Sequence, residues 1–167
     1  MITDYVPYMR QAIEEAERTR EAGEYPFAAV LVDPAGGICL TVPDRIERDR
    51  DNTAHAETQM VKRAVREIGR DLTGYTVVTT TEPCPMCFTT CWLARCSRVV
   101  YGTTMAEVAA ITGGQPEELR FPADQLNAFP QRRVELVGGV LREECLALFD
   151  PFRVPDQQPD TRSTATS

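Results

Sequence analysis

A single histidine, His55, occurs in the 167 residues. A metal site built here can therefore take only one imidazole, and its other ligands must be thiolates or carboxylates. No run of about 18 apolar residues is present and no basic-then-apolar leader opens the chain, so neither a membrane span nor a signal peptide is expected. The expected location is cytoplasmic, with no membrane partner. Basic residues are outnumbered, 18 Lys and Arg against 25 Asp and Glu for a net charge of −7, and no cluster of them is dense enough to make a phosphate-binding stripe. Proteins that grip nucleic acid show a basic face, so nucleic acid is not an expected partner. No internal repeat is visible. The six cysteines, at 39, 84, 87, 91, 96 and 145, lie on apolar-patterned segments of a leaderless chain, which argues against a disulfide framework. Cys39, Cys91, Cys96 and Cys145 are expected as buried small apolar side chains.

What is present suits one globular domain: 43% hydrophobic and 26% charged residues in a chain long enough to bury a substantial core. Residues 4–21 place Tyr5, Met9, Ala12, Ile13 and Ala16 at helical spacing, and Gly23 stops the pattern. Residues 27–32 and 38–42 are β-rich and joined by Asp33-Pro34-Ala35-Gly36-Gly37, a hairpin signal. Residues 43–51 read as a charged, solvated loop. A helix follows over 54–70, then a strand over 75–81, a helix over 85–96 and a strand over 98–102, and strand–helix–strand predicts a parallel pair. Gly113, Gly114, Pro116 and Pro122 break any long element between 103 and 129. A fifth strand over 133–137 and a helix over 141–149 close the domain, expected to span 1–153. The Pro, Gln, Ser and Thr content of 154–167 predicts a disordered tail.

The chemistry concentrates in Thr53-Ala54-His55-Ala56-Glu57 and Thr81-Glu82-Pro83-Cys84-Pro85-Met86-Cys87. Pro83 and Pro85 cannot lie inside a helix but suit a helix start, where the missing N–H of Pro85 costs nothing. Positions i and i+3 then bring the Cys84 and Cys87 sulfurs within reach of one cation, and the positive end of the helix dipole favours their thiolates. His55 stands at a second helix start, with Asn52 or Thr53 available as N-cap. His55 and Glu57, at i and i+2, share no helix side, but both can face one centre if the helix points at it end-on. His55, Cys84 and Cys87 would give Cys2His with an open fourth position, the pattern of catalytic zinc. The two helices follow strands and present their N-termini at one sheet edge, where ligands bind in open α/β sheets.

His-x-Glu followed by Pro-Cys-x-x-Cys is the signature of zinc-dependent deaminases. The sequence resembles that cytidine/deoxycytidylate deaminase superfamily, and more narrowly its guanine deaminase and tRNA adenosine deaminase branch. The likeness runs over roughly residues 5–150 and includes Pro26-Phe27-Ala28-Ala29-Val30, Trp92-Leu93-Ala94-Arg95 and Arg98-Val99-Val100-Tyr101-Gly102. It implies an α/β fold of three layers, α-β-α, with helices on both faces of a mixed five-stranded sheet. It also implies Zn2+ as cofactor, Glu57 as the catalytic proton carrier and homodimers that complete each other's pockets. Phe27 would stand at the mouth of the substrate pocket. Asp44 occupies the place, eleven residues before the zinc histidine, where relatives carry a substrate-binding Asn. Met105-Ala106-Glu107 departs from the pattern of guanine deaminases, which place an acidic residue near the ring. Gap-free alignment puts Ala106 there.

Three functions follow. The first is hydrolytic removal of an amino group from a small heterocyclic amine, with release of ammonia. Backbone N–H groups near Ala56 and Cys84 would hold the ring's polar edge, with Phe27 and Trp92 lining it. The second applies the same chemistry to an adenosine splayed from a tRNA loop, against which the net charge stands. The third is a structural zinc or catalytically inactive binding module, for which a carboxylate two residues after the histidine has no use.

Overall fold

The computed structural model describes Ile2 and residues 4–150. The expected tail at 154–167 lies outside the described residues. Helix α1 spans Val6–Glu21 and buries Met9, Ala12, Ile13 and Ala16. Strands β1 (Ala28–Val32) and β2 (Ile38–Pro43) form the hairpin. A one-turn helix α2 (Ile46–Asp49) and helix α3 (Ala56–Glu67) follow, then β3 (Thr76–Thr81), α4 (Pro85–Leu93) and β4 (Arg98–Thr103). The remainder comprises α5 (Met105–Thr112), α6 (Ala123–Leu126), β5 (Glu135–Val137) and α7 (Arg142–Ala147).

The five strands make one mixed sheet in the order β2-β1-β3-β4-β5. β1 pairs antiparallel with β2 and β3, whereas β3–β4 and β4–β5 are parallel. Because strand side chains alternate between faces, the central strands feed two separate cores. Ala29, Leu31, Val77 and Val99 pack with Met60, Ala64, Phe88 and Cys91 of α3 and α4. Ala28, Val30, Val32, Val78 and Val100 pack with Met9, Ala12 and Ala16 of α1 and with Cys145 and Leu148 near α7. This is the expected three-layer α-β-α arrangement, and burial on both faces explains why β1 and β3 read as unbroken apolar or threonine runs. Gly102 lets α7 lie directly on β4: a Cβ there would sit 2.2 Å from the Cys145 sulfur and 2.8 Å from the Thr80 carbonyl oxygen.

Four local expectations change. The charged segment 43–51 is not all solvated loop. The buried Glu24 carboxylate accepts the N–H groups of Glu47 and Arg48 and so holds the start of α2. Cys39 is exposed rather than buried, since β2 is the edge strand and its first residues face solvent. The N-cap of α3 is His55 itself, not Asn52 or Thr53, because Thr53 spends both its N–H and its hydroxyl on Asp51. The unread stretch after β4 contains α5, started by a capping box in which Thr104 and Glu107 satisfy each other's backbone N–H groups.

Candidate active site

Two helix starts meet at the carboxyl ends of β2 and β3. His55 caps α3 with an extended backbone (φ −60°, ψ 148°), and Cys84 caps α4 in the same way (φ −61°, ψ 166°). Each cap side chain therefore projects along its helix axis instead of lying on a side wall. Cys87, in the first turn of α4, completes the group. The ligand atoms of His55, Cys84 and Cys87 lie within 4.8 Å of one another, and His55 Nδ1 is 3.8 Å from the Cys84 sulfur. The Thr58 hydroxyl lies 3.5 Å from the Cys87 sulfur and links the two helices.

Glu57, in the first turn of α3, is buried. Its Oε1 accepts a 2.7 Å hydrogen bond from the Thr79 hydroxyl of β3. The end-on helix thus reconciles i, i+2 spacing with a shared centre: His55 belongs to the cap and Glu57 to the first turn.

Proton positions follow from this crowding. The Cys87 S–H donates to Cys84, which holds Cys84 down at about 4, helped by His55 against the opposing effect of burial. Cys87, as that donor and buried, is pushed well above the usual thiol range. Burial acts to lower His55, but hydrogen bonding and charge from Cys84, then Glu57 and Glu118, outweigh it and raise His55 to about 9. Burial raises Glu57, partly offset by the Thr79 hydrogen bond. A thiolate, a thiol and an imidazolium so close together suit a cation that displaces their protons, as a metal does on binding nitrogen and sulfur ligands. One imidazole and two thiolates match the donor preference of zinc.

Around this group runs a cleft lined by Phe27, Asp44, His55, Glu57, Thr81, Glu82, Cys84 and Glu118. Asp44 and Phe27 are tied together by the Asp44 N–H to Phe27 carbonyl bond of 3.0 Å. Asp44 is 1% exposed, so it does not point into solvent with its charged neighbours. Glu82 spends its oxygens on backbone, Oε1 on the N–H of Ala123 and Oε2 on that of Met105. It thereby fixes the starts of α6 and α5 against the cleft.

Glu118 was not legible in the sequence. It comes from the irregular segment between α5 and α6, and its Oε1 lies 3.7 Å from His55 Nδ1. Burial, then the Cys84 charge, push it up to about 7. An acidic side chain thus reaches the cleft from twelve positions after Ala106. Ala106 is exposed, and Glu107 is taken up by the capping box and by Arg142. Ala56, the first residue of α3, is buried between His55 and Glu57, where first-turn N–H groups have no partner within the helix. Trp92 is not brought to the cleft. It packs against the α3/α4 core, its indole N–H donates to the Arg132 carbonyl at 3.0 Å, and the Arg132 guanidinium lies 4.8 Å from its ring centre.

The cytidine and deoxycytidylate deaminase zinc-binding region matches residues 3–103. The chain belongs to this deaminase family. Zinc is therefore its cofactor, and hydrolysis of a C–N bond its chemistry. The deaminase is 35% identical over 150 residues to the tRNA-specific adenosine deaminase of Bacillus subtilis, covering 87% of this chain and 86% of that one. It is 28% identical over 141 residues to a probable cytosine deaminase of Schizosaccharomyces pombe, covering 83% and 86%. In fold the deaminase is similar to the guanine deaminase of Nitrosomonas europaea, with a TM-score of 0.77 at 23% identity over 90% of this chain and 85% of that one.

Proposed function

We propose that this deaminase acts on a small amino-substituted heterocycle, a free base or nucleoside, and releases ammonia. The observation that carries the reading is the buried Glu57 carboxylate beside the His55–Cys84–Cys87 group, in a cleft that no Lys or Arg lines. When bound by His55, Cys84 and Cys87, zinc supplies the Lewis acidity that activates water at neutral pH. Glu57 carries protons, first to a ring nitrogen and then to the departing amine, and the Thr79 hydroxyl holds it in position. Phe27 offers its ring at the cleft mouth, braced by Phe149 with ring centres 5.5 Å apart. First-turn N–H groups at Ala56 and near Cys84 are available to the ring's polar edge.

The curated relative that acts on tRNA supports a second reading, deamination of an adenosine in a tRNA loop. No Lys or Arg lines the cleft to meet a phosphate backbone, and the net charge of −7 opposes its approach. The test is ammonia release from the zinc-loaded protein across purines, pyrimidines, triazines and pterins, free and as nucleosides, with a tRNA transcript alongside. Turnover of at least one small ring and no tight tRNA binding at physiological salt are expected. A sub-micromolar, steeply salt-dependent tRNA dissociation constant would reverse the order of the two readings.

Among the described residues no helix is long and apolar enough to cross a membrane. A homodimer is proposed as the working form. Leu93, 68% exposed, lines a groove with Val61 and Val65 of α3, rimmed by Lys62, Arg66 and Arg70. Sedimentation at micromolar concentration should give about twice the 18.6 kDa chain mass, and a monomer there would remove the proposal.

A further inference from the structure

Among the described residues Asp44 is the one acidic side chain of the cleft with a fully buried oxygen that no donor reaches. Its side chain is 1% exposed. Oδ1 accepts the Ile46 N–H at 3.1 Å, whereas Oδ2 is buried and has no hydrogen-bond partner. Among the described residues Asp44 makes no ion pair, and the neighbouring Arg45 guanidinium is turned to Asp49 at 2.8 Å. A buried carboxyl oxygen without a donor is costly, and native structures rarely keep one except where a ligand completes it. The other acidic side chains here are engaged. Glu57 accepts from Thr79, Glu82 accepts two backbone N–H groups, and Glu118 lies against His55.

Building on the heterocycle reading above, we infer that Asp44 sets substrate specificity, with Oδ2 accepting an N–H or amino group on the ring edge opposite the reacting carbon. The ligand class is a donor-rich aminoheterocycle, a diamino-substituted or protonatable ring, in preference to one that presents a bare ring nitrogen there. The charge around the cleft agrees with this. Asp44 shares the cleft lining with Glu57, Glu82 and Glu118, and no Lys or Arg lines it, so acceptor oxygens predominate there. Burial, opposed by the Ile46 N–H and by His55, raises the Asp44 carboxyl to about 8.

The experiment compares zinc-loaded wild type with Asp44→Asn, a near-isosteric change that leaves an acceptor for Ile46. Two ring pairs differ by one amino group: adenine against 2,6-diaminopurine, and 4-aminopyrimidine against 2,4-diaminopyrimidine. Calorimetric Kd and kcat/KM for ammonia release are both measured, with zinc content and Tm confirming that the variant is folded. The wild type should prefer the diamino ring of at least one pair by about tenfold or more, and Asp44→Asn should cut that preference by about tenfold, since sites built around one hydrogen bond discriminate strongly. Ratios unchanged within about twofold in both measurements, or no binding of any of the four rings, overturn the inference. Ammonia release absent from every ring, with an Asp44-dependent binding preference intact, instead overturns the reaction and leaves the role of Asp44 standing.

Discussion

Glu57→Gln is expected to keep its zinc and its fold while kcat for ammonia release falls by about 10²–10⁴-fold, the usual contribution of a positioned proton carrier. The amide keeps the shape of the side chain and can still accept from Thr79, whose hydroxyl lies 2.7 Å from Glu57 Oε1. Only the capacity to take up and return a proton is lost. No large loss of stability is expected either, because burial already disfavours the ionised carboxylate, as the upward shift of Glu57 shows. The checks are single-turnover ammonia release with the best substrate, metal analysis and a thermal melt. Turnover within a few-fold of wild type would show that the proton travels by another route.

Cys87→Ala should lose zinc. Zinc affinity is expected to fall by more than about 10²-fold, beyond the 10–100-fold typical when a group that merely supports a ligand is removed. The reason is local. Among the described residues Cys87 supplies one of the three ligand atoms gathered within 4.8 Å, and with one histidine in the chain no second imidazole can replace it. Its S–H also contributes most to lowering the Cys84 thiol, so the variant weakens a second ligand along with the first. Competition against a chelator, read by elemental analysis, measures the effect. Cys91→Ala is the control: Cys91 is equally buried, in the core between α3, α4 and the sheet, and should keep full zinc at some cost in Tm. Full zinc in Cys87→Ala would remove Cys87 from the ligand set.

Much of this molecule was written in short-range terms that a sequence displays. Helix α1 followed from its apolar spacing, the β1–β2 hairpin from Asp33-Pro34-Ala35-Gly36-Gly37, and the parallel β3–β4 pair from the helix between them. Prolines beside Cys84 determined that α4 starts there, so both cysteines fall at a helix N-terminus whatever the rest of the chain does. The family signature was legible for the same reason: its spacing is a local requirement of metal geometry.

The tertiary structure decided what depends on distant partners. Trp92 was expected at the ring and packs on the core instead, because an aromatic on an apolar helix suits either place, and only the return of Arg132 to its indole settled the side on which it packs. Cys39 carries a core-type residue onto an exposed edge strand, a property of sheet order and not of local pattern. Asp44, embedded in a run of charges, is buried because β2 carries it beside Phe27, whose carbonyl takes its N–H. Glu118 stands in a segment with no periodicity, between the Gly113-Gly114 break and α6. It reaches the cleft because Glu82 fixes the helix starts on either side of it. The sequence by itself thus determined the reaction class and brought out the candidate metal ligands, since closely spaced residues carry them. The charge and lining of the substrate cleft belong to the fold alone, since they are assembled from side chains as far apart as Phe27 and Glu118.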